Sequence, residues 1–288
     1  MRNSELQIRS AGLGRSRWSA AISSVAALAV VATFGWICID IVRHGISVID
    51  WEFLTAEVED AGRAGGIAPV ILSTVFIVGI CMAAVVPLGL TSAIYLAEFA
   101  RRRDLLGRTT RGALDTLAAV PSIVFGLFGH AFFGVTLGLG SSLLCGGLTL
   151  ACMVLPLFVR TTELGLRGID PSQRGAGAAL GLTRTAIAFR IVLPQATPAI
   201  VAGLILGVAR ALAETAALIF TSGYVTRTPT SWFDSGRTLS VHIYDLALNV
   251  YDGEDRAYGA ALVLMALLFA SNRLAAWTLR LWRKKALR

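Results

Sequence analysis

The chain has 288 residues, of which 55% are hydrophobic and only 15% are charged, and its mean hydropathy is +0.69. This composition excludes an ordinary soluble domain and indicates a polytopic membrane protein surrounded by lipid. The net charge of +8 does not indicate a nucleic-acid partner, because 24 of the 26 basic residues are arginines that cluster beside apolar stretches, as membrane orientation requires.

The N-terminal part of the chain predicts two spans with an outer segment between them. Residues 1–19 are polar and arginine-rich, and we expect them in the cytoplasm. Residues 20–39 form an apolar stretch that is long enough to cross a bilayer and too long for the apolar core of a signal peptide. The acidic stretch 43–66 should face outward. The second span lies within residues 67–97, which is long for one crossing and contains Pro87.

Four further spans are predicted after a basic turn at residues 101–111. The third and fourth spans are joined by a short glycine-rich connection and form a hairpin. The fifth and sixth are separated by a longer acidic connection at residues 224–256. These four predicted spans are residues 114–133, 141–159, 198–221 and 258–277.

Basic residues are distributed unevenly between the two sides of the proposed membrane. Nineteen lie on the four segments assigned to the cytoplasm, and five lie on the outer segments. Because lysine and arginine are enriched in cytoplasmic loops, both termini are predicted to be cytoplasmic. The predicted fold is therefore all-α, with six transmembrane helices in a domain over residues 20–280 and a basic tail over residues 281–288.

The sequence lacks the residue patterns of common enzyme and cofactor sites. A phosphate-binding P-loop needs a Gly-Lys pair, and the only lysines are Lys284 and Lys285 in the tail. No Gly-x-Ser-x-Gly motif occurs, and the three histidines and four cysteines have no metal-ligand spacing. We expect no cofactor, metal or catalytic residue in this chain. If the chain moves a solute uphill, the energy must come from another subunit.

Two charged residues lie within the predicted fifth span. Arg210 follows Pro198 by 12 residues, which is about 18 Å along a helix and near the middle of the bilayer. An arginine there costs about 2.5–3.5 kcal/mol unless a partner or a water-filled cavity compensates. Glu214 lies one turn further on. The pair predicts a point on a transport pathway or an ion pair that fixes helix packing, and the two alternatives are compatible.

The segment between the fourth and fifth spans, about residues 160–197, is neither strongly apolar nor typical of a loop. Small residues predict a short helix, Gly181 can adopt the left-handed conformation that ends it, and residues 182–192 predict a second helix. Pro194 and Pro198 predict the turn back into the apolar fifth helix. Residues 174–194 are thus predicted to form a bent pair of helices, which we call the elbow.

At the elbow the chain resembles the inner-membrane permeases of binding-protein-dependent ABC importers. Their loop reads Glu-Ala-Ala, three residues, Gly, nine residues, Ile, one residue, Leu-Pro, and the elbow matches this spacing with Gly175 at the position of the glutamate. The resemblance implies an ABC importer permease fold in which the elbow contains the coupling helix that docks on a separate ATPase. The residues implied in coupling are Ala176, Gly177, Gly181, Ile191, Leu193 and Pro194.

Other segments resemble the phosphate-specific permeases of that family. Residues 210–221 are similar to their fifth-helix signature, with Ala213 and Ala217 in place of a glycine and a proline, and residues 119–129 and 159–163 resemble two more segments. The Glu-Thr-Ala and Phe-Thr parts of the signature favour a PstA-like over a PstC-like subunit. The missing proline at position 217 predicts a straighter helix.

Four residues are candidates for substrate binding. For Ser122, which follows Pro121 inside the third span, a simple kink is the favoured alternative to lining a pathway. For Thr221, at the outer end of the fifth span, helix capping is an equal alternative. The candidates are Arg210, Glu214, Ser122 and Thr221.

The resemblance implies a permease subunit of an ATP-driven importer of inorganic phosphate in the bacterial inner membrane. Its implied partners are a second, PstC-like permease subunit, a dimer of ATP-binding subunits and a periplasmic phosphate-binding protein. A permease for another oxyanion or solute would share the elbow without needing Arg210. The PstC-like partner itself is the other alternative.

Overall fold

The structure, a computed structural model, describes the backbone of residues 2–100 and 104–286 and the side chains of residues 20–100 and 104–277. The basic clusters predicted at residues 2–18, 101–103 and 280–288 lie outside the described side chains. The α-helices of the described part are α1 (Arg2–Gly45), α2 (Trp51–Thr55), α3 (Ala68–Ile94), α4 (Leu105–Ala119), α5 (Ser122–Gly129), α6 (Leu143–Arg167), α7 (Pro171–Ala179), α8 (Arg184–Ile187), α9 (Leu193–Leu212), α10 (Ala216–Thr221), α11 (Leu239–Leu248) and α12 (Glu254–Ala286).

Shorter elements connect or extend these helices. Three π-helical turns, Tyr95–Phe99, His130–Thr136 and Ala188–Val192, follow α3, α5 and α8. An antiparallel hairpin of β1 (Val58–Glu59) and β2 (Ala64–Gly65) closes over a 3-10 turn in the segment between α2 and α3.

Five helices in the described part are long and apolar enough to cross a membrane, and the number becomes six if a bent pair counts as one span. This confirms the all-α membrane fold and the predicted first, second, fourth and sixth spans. The five helices are Ala20–Gly45, Ala68–Phe99, Leu143–Arg167, Arg184–Leu212 and Glu254–Trp277.

The prediction of one continuous third span with a simple kink was wrong. α4 and the helix Ser122–Thr136 meet at an angle of 105°. Val120, directly before Pro121, has extended backbone angles, as the proline ring requires of the residue preceding it. Apolar composition continues across this break, so hydropathy alone cannot detect it.

The prediction of a continuous fifth span over residues 198–221 was also wrong. α9 ends at Leu212, residues 213–215 are not helical, and α10 begins at Ala216. The helix is therefore interrupted two residues before Ala217, although the family proline is absent at that position. The expectation that this loss straightens the helix was therefore wrong. The Glu214 carboxylate accepts from the Ala217 amide in the first turn of α10, so this bond supports the start of the new helix.

The chain does not turn at Pro194 and Pro198 as predicted. The helix is continuous from Arg184 to Leu212, so the second half of the elbow extends directly into the fifth span. The π-helical turn Ala188–Val192 precedes Pro194. The wider backbone of this π-helical turn accommodates the Pro194 ring, which would clash with an ordinary α-helical turn before it.

The core is formed where α3, α6 and α9 cross. The buried ring of Phe158 on α6 fills the space left by Gly89 on α3 and Gly203 on α9. A Cβ atom on these glycines would lie 2.4 Å and 3.1 Å from the ring. The absence of side chains at the two positions therefore lets three helices approach closely.

The connection between the fifth and sixth spans contains α11, which the sequence did not predict. His242 on α11 is fully buried. Arg237 lies 3.4 Å from its Nδ1 atom and pairs with Asp245 at 2.8 Å. Burial, with a smaller contribution from the Arg237 charge and an opposing one from Asp245, lowers the pKa of His242 to about 4.

The low pKa of His242 predicts a loss of stability in acid. The pKa is 6.5 in the unfolded chain and about 4 in the fold, so the unfolded state takes up the proton first. Protonation of His242 therefore leaves the free energy of unfolding unchanged above pH 6.5. It lowers the free energy of unfolding by up to about 3 kcal/mol as the pH decreases to 4. Thermal unfolding of the detergent-purified protein across this range should show a shallower dependence for His242→Gln than for the wild type. Equal slopes would contradict this assignment.

Candidate functional site

The break in the fifth span holds the charged pair predicted from the sequence. Nη2 of Arg210, in the last turn of α9, lies 3.5 Å from Oε2 of Glu214. The Arg210 side chain is 49% exposed, whereas that of Glu214 is 5% exposed. The other described partner of the guanidinium is the Met153 sulfur atom, at 3.6 Å. The site thus presents an accessible cation beside a nearly buried carboxylate.

Backbone and hydroxyl groups fix Glu214 in this position. Its Oε1 atom accepts from the Ala217 amide at 3.3 Å, at the start of α10. Its carbonyl oxygen accepts from the Ser240 hydroxyl at 2.6 Å. Ser240 lies on α11 and is 26 residues away, so no local sequence pattern pointed to it.

Ser122 and Thr221 lie on the two short helices beside the break. Ser122 is half-buried at the start of α5, one turn before Gly126. A Cβ atom on Gly126 would lie 2.9 Å from the Ala217 Cα atom, so α5 and α10 cross closely there. Thr221 is fully buried, and its hydroxyl donates to the Ala217 carbonyl at 2.9 Å. Substrate contact by Ser122 and Thr221 remains a prediction.

Gly181 ends the first helix of the elbow in the left-handed conformation, as predicted. Gly181 has φ of +76°, and its amide donates to the Ala178 carbonyl at 3.0 Å. The Leu182 amide donates to the Gly177 carbonyl at 3.1 Å. These two bonds form a Schellman motif, which ends α7 and redirects the chain. The Thr183 hydroxyl then accepts from the Ala186 amide and begins α8.

The start of α7 is equally well defined. The carboxylate of Asp170 accepts from the Ser172 amide at 2.8 Å, and Pro171 occupies the first helical position. This hydrogen bonding lowers the pKa of Asp170 below its ordinary value. The first half of the elbow is thus a capped helix with defined ends.

Exposure divides the predicted coupling residues into two groups. Gly177 is buried, and a Cβ atom there would lie 2.8 Å from Ile191 and 3.0 Å from Ile187, so it lets the two halves of the elbow pack together. Ile191 and Leu193 are half-buried. Ala176, Gly181 and Pro194 are exposed.

The solvent-exposed surface of the elbow also carries apolar side chains that the sequence motif does not include. Leu180 is 80% exposed and Phe189 is 51% exposed. No atom lies within 4 Å of a Cβ atom built on Gly175, which is exposed. A side chain at this position would therefore begin in open space on the exposed face of α7.

Two buried carboxylates near the elbow were not identified as functional from the sequence. Glu98 accepts from Arg174 at 2.7 Å, and Glu163 lies 2.9 Å from Arg167. Both acidic side chains are about 5% exposed. Glu163 also pairs with arginines of α4 and α6, namely Arg111 at 3.2 Å and Arg160 at 3.4 Å. Arg160 and Arg167 lie within one helical turn of Glu163, whereas Arg111 is 52 residues from Glu163 and Arg174 is 76 residues from Glu98. Sequence spacing gives no signal for the two long-range pairs.

Comparison with known proteins identifies the family. Residues 85–284 match the family described as binding-protein-dependent transport system inner membrane component. The chain belongs to this family. The resemblance of the elbow to such permeases is therefore confirmed, and the chain is a transport permease subunit, multi-pass in the inner membrane.

Relatives of this permease include proteins named for phosphate transport. It is 36% identical over 74% of its length to "Phosphate transport system permease protein PstA 1" of Mycobacterium tuberculosis, covering 70% of that protein. It is 30% identical over 88% of its length to "Probable ABC transporter permease protein YqgI" of Bacillus subtilis, covering 90% of that protein. The PstA-like resemblance predicted from residues 210–221 is thus confirmed.

A solved structure supports the fold of the permease independently of sequence. A chain of the inward-facing MetNI methionine ABC transporter superimposes with a TM-score of 0.59 at 16% identity. The match covers 74% of this permease and 96% of that chain. At this identity the likeness shows a common fold.

Proposed function

We propose that this chain is a PstA-like permease subunit that forms half of the passage of an ATP-driven importer of inorganic phosphate. The observation that carries the proposal is the half-exposed guanidinium of Arg210 at the broken fifth span. A charge placed among apolar helices is retained where it serves a pathway. The relatives named for phosphate transport support the choice of substrate class.

The chemistry of Arg210 suits a tetrahedral oxyanion. Its planar fork donates parallel hydrogen bonds and keeps its positive charge at any physiological pH. Glu214 at 3.5 Å is too distant for a tight bidentate pair. The guanidinium thus retains donors for an arriving anion, while the nearby carboxylate partly neutralises it when no anion is present. Ser122 and Thr221 are the further candidate contacts.

Force for transport enters at the elbow in this proposal. The exposed residues Leu180 and Phe189 extend the apolar surface of the predicted coupling helix, and such a surface suits docking on a partner. We assign that partner to a dimer of ATPase subunits, which binds the ATP that this chain does not. A PstC-like permease completes the passage, and a periplasmic phosphate-binding protein delivers the substrate. Both termini are assigned to the cytoplasm.

Uptake of labelled phosphate tests this proposal. Cells that lack other phosphate importers and express the complete transporter should accumulate labelled phosphate, and excess unlabelled sulfate or molybdate should not compete. Competition by sulfate or molybdate equal to that of phosphate would favour a permease for another oxyanion. Absence of oxyanion uptake would overturn the substrate assignment.

A further inference from the structure

The side chain of Arg174 joins three parts of the molecule at the start of the elbow. Its Nε and Nη2 atoms donate to the Glu98 carboxylate at 3.2 Å and 2.7 Å. Nη1 donates to the Ile169 carbonyl at 2.6 Å, and Nη2 donates to the Leu166 carbonyl at 2.7 Å. One guanidinium therefore links α7 to the end of α6 and to the π-helical turn that ends the second span. We call this set of groups the Arg174 junction.

The second span is anchored to other helices at the same turn. The Leu96 carbonyl accepts from Arg111 of α4 at 2.9 Å and from Arg167 of α6 at 3.0 Å. The Ala100 amide donates to the Tyr95 carbonyl at 2.8 Å, five residues back, which defines the π-helical turn. This turn is thus the point at which α3, α4, α6 and α7 are connected by polar bonds.

Burial makes the Arg174 junction strong and stiff. The Glu98 side chain is 6% exposed and that of Arg174 is 26% exposed. A bidentate, charge-assisted pair in such surroundings is stronger and more directional than a surface ion pair. The remaining packing of α7 is mainly against the other half of the elbow, through Gly177. Movement of α7 would therefore reach the second span directly through Arg174 and Glu98.

We propose that Arg174 and Glu98 are positioning residues that transmit movement of the coupling helix to the second and fourth spans. This inference rests on the proposed function of the elbow and extends it to a second route, besides the continuous helix from Arg184 to Leu212. A purely structural role, in which Arg174 only caps the carboxyl end of α6, is the alternative that the experiment must separate.

The test uses the complete transporter reconstituted in liposomes. The phosphate-loaded binding protein is supplied on the side of the liposome membrane that the periplasmic face of the transporter meets. Glu98→Gln and Arg174→Gln should assemble and hydrolyse ATP, but the amount of phosphate transported per ATP should fall about fivefold or more. The double variant should be no worse than Arg174→Gln alone, because Glu98→Gln removes no interaction that Arg174→Gln has not already removed. Asp60→Asn, which alters an exposed ion pair with Arg63 on the outer segment, should keep the wild-type ratio.

Arg174→Lys separates force transmission from capping. Lysine keeps a charge for Glu98 but lacks the fork that reaches the Leu166 and Ile169 carbonyls. Transmission predicts that Arg174→Lys retains more coupling than Arg174→Gln, whereas capping alone predicts that the two variants behave alike. The inference would be overturned if Glu98→Gln transported as much phosphate per ATP as the wild type. It would also be overturned if ATP hydrolysis and phosphate transport both fell only in proportion to the amount of transporter that assembles. Failure of the wild type to transport phosphate would instead refute the proposed function.

Discussion

Replacing Arg210 by glutamine is expected to abolish phosphate uptake while the protein still enters the membrane and assembles. Glutamine keeps hydrogen-bonding capacity but removes the charge that the anion would meet at the broken fifth span. Once a bound phosphate excludes water from the half-exposed guanidinium, loss of this charged partner costs about 2–5 kcal/mol, so uptake should fall below about 3% of the wild-type rate. The measurement is the initial rate of labelled phosphate uptake, normalised to the amount of assembled transporter.

Two controls give this result its meaning. Glu214 is 5% exposed and would lose its cationic partner in the variant, and an unpaired buried charge destabilises a protein by itself. The double variant Arg210→Gln/Glu214→Gln removes that charge, so it should recover stability without recovering uptake. Arg273→Gln changes an exposed arginine in α12 and should transport normally. Uptake by Arg210→Gln at the wild-type rate would refute the role of Arg210.

Replacing Gly181 by valine is expected to uncouple ATP hydrolysis from transport. No atom lies within 4 Å of a Cβ atom at this position, so the new side chain meets no obstacle. The effect arises from the backbone, because φ of +76° strains a β-branched residue by on the order of 1–3 kcal/mol. Relief of this strain would open the Schellman motif and reorient α7. Phosphate transported per ATP should fall about fivefold or more.

Gly181→Asn is the matched variant, since asparagine adopts left-handed backbone angles with little strain. It should preserve coupling where Gly181→Val does not. Gly112→Val introduces the same side chain on an exposed helical face with open space around it, and it should leave transport unchanged. Undisturbed coupling in Gly181→Val would show that the elbow is not the docking element.

The sequence predicted best those features that depend only on neighbouring residues. An apolar stretch bounded by charges identified the second, fourth and sixth spans. The positive φ that only glycine adopts easily identified the end of α7 at Gly181. The charged pair Arg210 and Glu214 was visible because charges are rare within apolar segments.

What the sequence missed depends on backbone breaks and on contacts between distant residues. Hydropathy continues through Pro121, and Glu214 and Thr215 interrupt an otherwise apolar segment only briefly, so neither break was apparent from apolar content. Pro198 suggested a turn, yet the helix passes through it. Glu98 and Arg174 are 76 residues apart, and only the packing of α3, α6 and α7 brings them together.

Phosphate-dependent ATP hydrolysis by the purified transporter tests the central claim most directly. The chain should be isolated from its native membrane with the subunits that accompany it and reconstituted in liposomes with the phosphate-binding protein. We expect an ATPase to co-purify, and its hydrolysis rate should rise with added phosphate and remain at the basal level with sulfate. An ATPase that is absent, or whose rate is the same with and without phosphate, would contradict the account.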